Sequence, residues 1–141
     1  MRHLQAESGV DPGLTEAGRR DAHLLANWFK KSDRPGAIFV THFRRSRETA
    51  APLAAGLRIR PIVYDPSDND ALVDAVKAKG GNVLIVGHSN TVPDIVERLG
   101  GARPAQIQHH EHGDVWRVSA SGGEVQKLRL ENIPPRGKRG D

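Results

Sequence analysis

Two histidines and two arginines, far apart in the chain, have the chemistry to hold and attack a phosphoryl group. His3 lies in Met1-Arg2-His3, Arg45 in Thr41-His42-Phe43-Arg44-Arg45-Ser46-Arg47-Glu48-Thr49-Ala50, and His88 in Val83-Leu84-Ile85-Val86-Gly87-His88-Ser89-Asn90. A neutral imidazole can attack phosphorus in line and carry the group covalently, provided that other groups neutralise the phosphoryl oxygens in the transition state. His3 is the candidate nucleophile. Arg2 and Arg45 supply forked donors suited to those oxygens, and their charge keeps a nearby imidazole unprotonated. His88 is the fourth clamp, and His42, Ser89 and Asn90 are candidate contacts to phosphate or substrate. Backbone amides opening the helices after Phe43 and Ser89 add partial positive charge. This chemistry requires neither metal nor cofactor.

These residues act together only if the chain brings them to one place. Ala37-Ile38-Phe39-Val40 and Val83-Leu84-Ile85-Val86 are continuous apolar runs, the pattern of strands covered on both faces. Ile62-Val63-Tyr64 is a shorter strand, and Val115 to Val118 and Val125 to Leu130 pair as a hairpin around Ser121-Gly122-Gly123. Helices are expected between the strands. One runs from a Thr15 cap to about Ser32, with Ala22, Leu25, Ala26 and Phe29 on one buried face and Leu24 and Trp28 widening it. A second covers Arg45 to about Leu57, bent or bounded at Pro52, which lacks an amide donor. A third ends at Lys79 before Gly80-Gly81, with Leu72, Ala75, Val76 and Lys79 on one face. A fourth is capped by Asn90 or Thr91 and ends at Gly100-Gly101. Strands alternating with helices imply an α/β sandwich, its sheet mostly parallel until the final hairpin. Ligands of such sheets bind beyond the carboxyl ends of the strands, where His42 to Arg45 and His88 to Asn90 lie.

The length of 141 residues suits one domain, read as residues 1–133 followed by a basic, disordered tail over 134–141. A net charge of +4 favours anionic partners. Aromatic residues are only 4% and scattered, which removes the stacking platform of a single-strand binder, so nucleic acid is a minor reading. The absence of cysteine excludes disulfides and thiolate metal sites. No apolar run approaches the ~20 residues of a membrane span, and no signal peptide opens the chain. A cytoplasmic location is the first expectation.

The three segments, in this order, resemble the histidine phosphatase superfamily, the phosphoglycerate-mutase-like group. Arg2-His3 matches its Arg-His motif, Leu14-Thr15-Glu16-Ala17-Gly18 the stretch before its first helix, Arg45 to Ala50 its arginine segment, and Gly87-His88-Ser89-Asn90 its second histidine motif. The resemblance spans roughly Met1 to Gly101. It implies a three-layer α/β/α sandwich around a mostly parallel sheet, and a phosphoenzyme on His3 with Arg2, Arg45 and His88 holding the phosphoryl group. Members of this size resemble phosphohistidine phosphatases and other short phosphomonoesterases. The substrate implied is a small phosphate ester or a phosphoprotein, with phosphate or sulfate as site ions. Mutases carry a longer insert, holding a glutamate acid, before the second histidine; the short interval here argues against that activity.

Four departures from the family pattern set further expectations. Leu4 replaces a small residue and is expected to crowd the pocket. Thr41-His42 replaces a serine pair, and the His42 imidazole assists a leaving group or faces solvent. The proton donor is open: Asp65 is the first candidate, with Asp68 and Asp70 beside it by position alone. The family's Arg-His pair ends a central strand, and no residues precede Met1 to form one. The first strand is therefore read as missing or truncated, the start trimmed or mis-set, or the sheet completed by another chain; a lost leader would leave export open.

Plainer readings stand beside these. Arg2-His3 alone reads as an accidental pair at a terminus, and only the order of the motifs outweighs that. Arg44 and Arg47 read as surface charges, His23 as helix surface, and Trp28 and Trp116 as core. His109-His110-Glu111-His112 lacks the i, i+4 spacing of a zinc site and reads as a pocket-rim loop. A catalytically degenerate anion-binding protein of the same fold is the alternative function, and a basic nucleic-acid binder the third.

Overall fold

The computed structural model describes residues 1–119 and 123–130. Its sheet is parallel and three-stranded, ordered β2-β1-β3, from β1 (Ala37–Val40), β2 (Ile62–Val63) and β3 (Val83–Ile85). Ala37 pairs with Val83 and Phe39 with Ile85 on one side of β1, and Phe39 pairs with Ile62 on the other. Side chains of a strand alternate between faces, so β1 serves two cores. Ile38 and Val40 pack with Leu25 and Phe29 of α1 (Glu16–Lys31) and Leu53 and Ala54 of α2 (Arg44–Leu57). Ala37 and Phe39 pack with Leu72 of α3 (Asn69–Lys79) and Ile95 of α4 (Val92–Arg98). Helices therefore cover both faces, giving the expected three layers.

The helices begin and end largely where the sequence places them. Thr15 caps α1 by accepting from the Gly18 amide, and Gly18 itself has to be small: a Cβ there would lie 2.2 Å from the Gln5 carbonyl oxygen. The helix expected to bend or end at Pro52 runs through it from Arg44 to Leu57 without a boundary there. On α3 the buried residues are Leu72 and Val73, with Val76 half-buried, whereas Ala75 and Lys79 are exposed. The buried face is thus turned by one residue from the expected one, because Val73 offers more apolar surface than Ala75. Trp28 and Trp116 are half-buried against the core clusters, and His23 is exposed.

The expected single sheet is two. The hairpin of β4 (Asp114–Val118) and β5 (Val125–Arg129) forms its own antiparallel sheet, with Val118 opposite Val125 at its closed end. Of the turn expected there, Ser121 and Gly122 lie outside the described residues, as do Pro134 to Asp141 of the basic tail. A groove of about 590 Å³ separates β3 from β4, lined by Val83, Ile85, Val96, Val115 and Leu128, with Met1 among its walls. The strand expected before the Arg-His pair is represented by a short parallel stub. Arg2 bridges Gly87, the Met1 nitrogen donates to the Ile85 carbonyl (2.8 Å), the Gly87 amide to Met1 (2.8 Å), and the His3 amide to Gly87 (2.9 Å). Burial pushes the Met1 amino group down to about 5. The stub delivers His3 to the carboxyl end of β3, beside His88.

Candidate active site

His3, Arg2 and His88 are all nearly buried, at 6%, 7% and 7% exposure. The two imidazole rings meet edge to face with centroids 5.4 Å apart. His3 donates from Nδ1 to its neighbour's carbonyl, Leu4 O, at 2.7 Å. Because a carbonyl only accepts, that bond fixes the tautomer and leaves Nε2 with its lone pair. Burial pushes His3 down to about 3, against an upward pull from the Leu4 carbonyl, and the nearby Arg2, His88 and Arg45 lower it further. His88 is pushed down to about 4 by burial, Arg45, Arg2 and His42, in that order. Both rings are neutral near pH 7, the state a nucleophilic imidazole requires.

Buried hydroxyls hold this arrangement from behind. Thr41 Oγ1 lies 2.9 Å from His88 Nε2. Ser46 Oγ accepts from the Thr41 amide (2.9 Å) and donates to Val86 O (3.1 Å), tying the ends of β1 and β3 together. Thr49 Oγ1 accepts from the Leu4 amide (2.9 Å) and donates to Arg45 O (2.8 Å), joining the segment after His3 to α2. Thr41, Ser46 and Thr49 are all fully buried. Gly87 lets two more hydroxyls close in, since a Cβ there would lie 2.9 Å from Thr91 Oγ1 and 3.0 Å from the Tyr64 hydroxyl. Thr91 Oγ1 accepts from the His88 amide at 3.0 Å, and Tyr64 donates to Val86 O at 3.2 Å.

The arginines are placed differently from one another. Arg45 is half-buried, with its guanidinium 4.4 Å from the centre of the Phe43 ring, and that ring meets His88 edge on at 5.3 Å. Arg2 turns Nη1 toward the 107–113 loop, donating to the carbonyls of Gln108 (3.0 Å), His109 (3.0 Å) and Glu111 (2.7 Å). Its Nε is buried without a hydrogen-bond partner in the described residues. The loop brings His112 to His3, with ring centroids 5.8 Å apart.

The remaining expected residues lie further out. Leu4, expected in the pocket, is fully buried in the core cluster with Leu14 and Leu25, because its side chain points away from His3. His42 is exposed and rests on Phe43 at 4.1 Å; Ser89 is half-buried and Asn90 exposed. Asp65 is exposed, and its carboxylate accepts from the Ser67 amide and hydroxyl, which hold it below the usual carboxylate range. Asp68 caps α3 and Asp70 pairs with Arg98. Of the helix-start amides, that of Arg44 donates to Asp11. Sequence reading missed Thr41, Ser46 and Thr49 as supports and His112 as a neighbour of His3; Thr41 directly before an exposed histidine at a strand end was the one available signal. No group of three or more His, Asp or Glu side chains in the described residues could hold a metal ion. No helix among them is long and apolar enough to cross a membrane.

A family model, histidine phosphatase superfamily (branch 1), matches residues 2–67. The structure of the protein histidine phosphatase SixA complexed with tungstate is similar to 95% of this chain and 97% of its own, with a TM-score of 0.70 at 20% identity. A SixA structure from Nakamurella multipartitia is 28% identical over 71% of this chain, with a TM-score of 0.56, and the match spans 63% of that protein's length. A mycobacterial glucosyl-3-phosphoglycerate phosphatase matches 70% of this chain and 76% of its own at 16% identity, with a TM-score of 0.55. No curated protein matches the chain.

Proposed function

We propose that the chain is a histidine phosphatase of the superfamily whose model matches residues 2–67, a metal-independent phosphatase working through a phosphohistidine on His3. The observation that carries the reading is the buried His3–His88 pair, 5.4 Å apart, with both imidazoles held neutral and the His3 Nδ1–H donating to Leu4 O. Nε2 of His3 attacks phosphorus in line. Arg45, His88 and the unpartnered Nε of Arg2 gather the charge that develops on the phosphoryl oxygens. Ser89, Asn90 and His42 form the outer contacts to substrate. Asp65, the candidate proton donor, is poorly suited to that role, since its carboxylate is exposed and Ser67 holds it below the usual carboxylate range. A phosphohistidine or an aryl phosphate, whose leaving group departs without strong acid assistance, therefore fits the site best.

The test is hydrolysis of 4-nitrophenyl phosphate with chelator present. Steady turnover by the wild type and none by His3→Ala supports the reading, and turnover by His3→Ala overturns it. A second reading, an anion-binding protein without turnover, is favoured by one observation: Nη1 of Arg2 is already engaged by three carbonyls. Tight phosphate binding with no trappable phosphohistidine would select it.

A further inference from the structure

The family motifs leave His112 without a role, yet it is the imidazole that the 107–113 loop presents to His3. We propose that His112 is the general base of the second half-reaction, taking a proton from the water that attacks phosphorus on phospho-His3. This rests on the phosphoenzyme reading above.

Three observations converge on it. The His112 ring lies 5.8 Å from that of His3, tilted by 49°, so a water approaching a phosphoryl group carried on His3 comes within reach of it. The ring is half-buried, open enough to admit water and to pass a proton on to solvent. A backbone hydrogen bond to the His110 carbonyl supports the ring and raises its basicity.

Its position is also fixed from both sides. Arg2 holds Glu111 O at 2.7 Å, and the Leu130 amide holds Gly113 O at 2.7 Å. The Glu111 carboxylate folds back onto the Gln108 amide at 2.8 Å. His88 Nε2 is engaged with Thr41, and the Asp65 carboxylate with Ser67. Burial and the Arg2 charge lower the basicity of His112, against the His110 carbonyl, so it stands neutral and ready to accept a proton near pH 7.

The step balances without a co-reactant. The water oxygen bonds to phosphorus as the Nε2–P bond breaks, and the electron pair of that bond returns to His3. His3 leaves as a neutral imidazole because Nδ1 keeps its proton on Leu4 O. The water proton passes to His112 and then to solvent, and orthophosphate departs.

Rapid-quench kinetics with 4-nitrophenyl phosphate test this on the full chain, comparing wild type, His112→Gln, His112→Ala and the exposed neighbour His110→Gln. In both His112 variants the first release of nitrophenolate should stay within about threefold of wild type. Breakdown of the phosphoenzyme should slow by about 10²-fold, so that a burst appears and phosphohistidine accumulates; His110→Gln should behave as wild type. In heavy water, wild-type breakdown should slow by about twofold with formation unchanged, a readout that needs no variant. Breakdown at the wild-type rate in His112→Gln overturns the proposal and leaves the phosphatase reading intact, as does a parallel loss of release and breakdown. A wild type that turns over without any phosphoenzyme overturns both.

Discussion

On the side of the site built from β1, α2 and β3, three fully buried hydroxyls each make two hydrogen bonds or orient an imidazole. On the other side, the carbonyls of Gln108, His109 and Glu111 all accept from one guanidinium nitrogen, Nη1 of Arg2. The first wall is preorganised by groups that have no business with substrate. The second is held by a residue that also faces the phosphoryl group. Substitutions in the first wall should therefore register mainly in stability, and substitutions in the second mainly in catalysis.

The largest effect that sharpens this contrast comes from Arg2. Arg2→Met removes a phosphoryl donor and the loop staple together, and kcat/KM for 4-nitrophenyl phosphate should fall by about 10³-fold or more. Arg45→Ala, which removes a donor with no loop attached, should cost about 10²-fold. Equal losses from the two would break the comparison. Arg2→Lys keeps the charge but not the fork, and it should recover only a small part of the activity.

The stability side rests on Ser46. Ser46→Ala leaves the buried Thr41 amide without its acceptor, and should destabilise the fold by about 1–3 kcal/mol with little change in KM, as measured by urea unfolding and steady-state kinetics. Gln108→Ala, in the loop, should shift the unfolding midpoint much less, since only its backbone carbonyl meets Arg2.

Acid should act on the same buried pair. His3 and His88 are held down to about 3 and about 4, below the ~6.5 of a free histidine. Between those values the unfolded chain binds more protons than the folded one, so stability rises with pH across that window and is lost as pH falls from ~6.5 toward ~4. His88→Asn should flatten part of that dependence. Thr41→Val, which removes the hydroxyl from His88 Nε2 while filling the same space, should likewise lower stability, by about 1 kcal/mol, with kcat within about threefold of wild type.

How far these walls could be read from sequence follows from what each interaction depends on. Alternation and helical periodicity report burial, so β1, β3 and the apolar face of α1 were legible, and the order of the Arg-His, arginine and second histidine segments carried the meeting of His3 with His88. Ser46 and Thr49 sit inside a helix, where a short hydroxyl side chain leaves no periodic mark, and their partners are 40 and 45 residues away. His112 lies in an irregular loop whose path is set by tertiary contacts with Arg2. Pairing partners were the least legible of all: the β4–β5 hairpin has the right turn and alternation, yet nothing in its residues says that it forms a separate sheet. Leu4 was misplaced because a residue beside a nucleophile reads as pocket lining, whereas strand alternation turns it into the core.

The central claim is that His3 carries the phosphoryl group. Quenching the enzyme during turnover of phosphorus-labelled substrate, then mapping the label, tests it most directly. The account predicts an acid-labile, alkali-stable phosphate on the peptide containing His3, absent from His3→Ala. Label on any other residue, or full turnover with no labelled protein at any time, would contradict it.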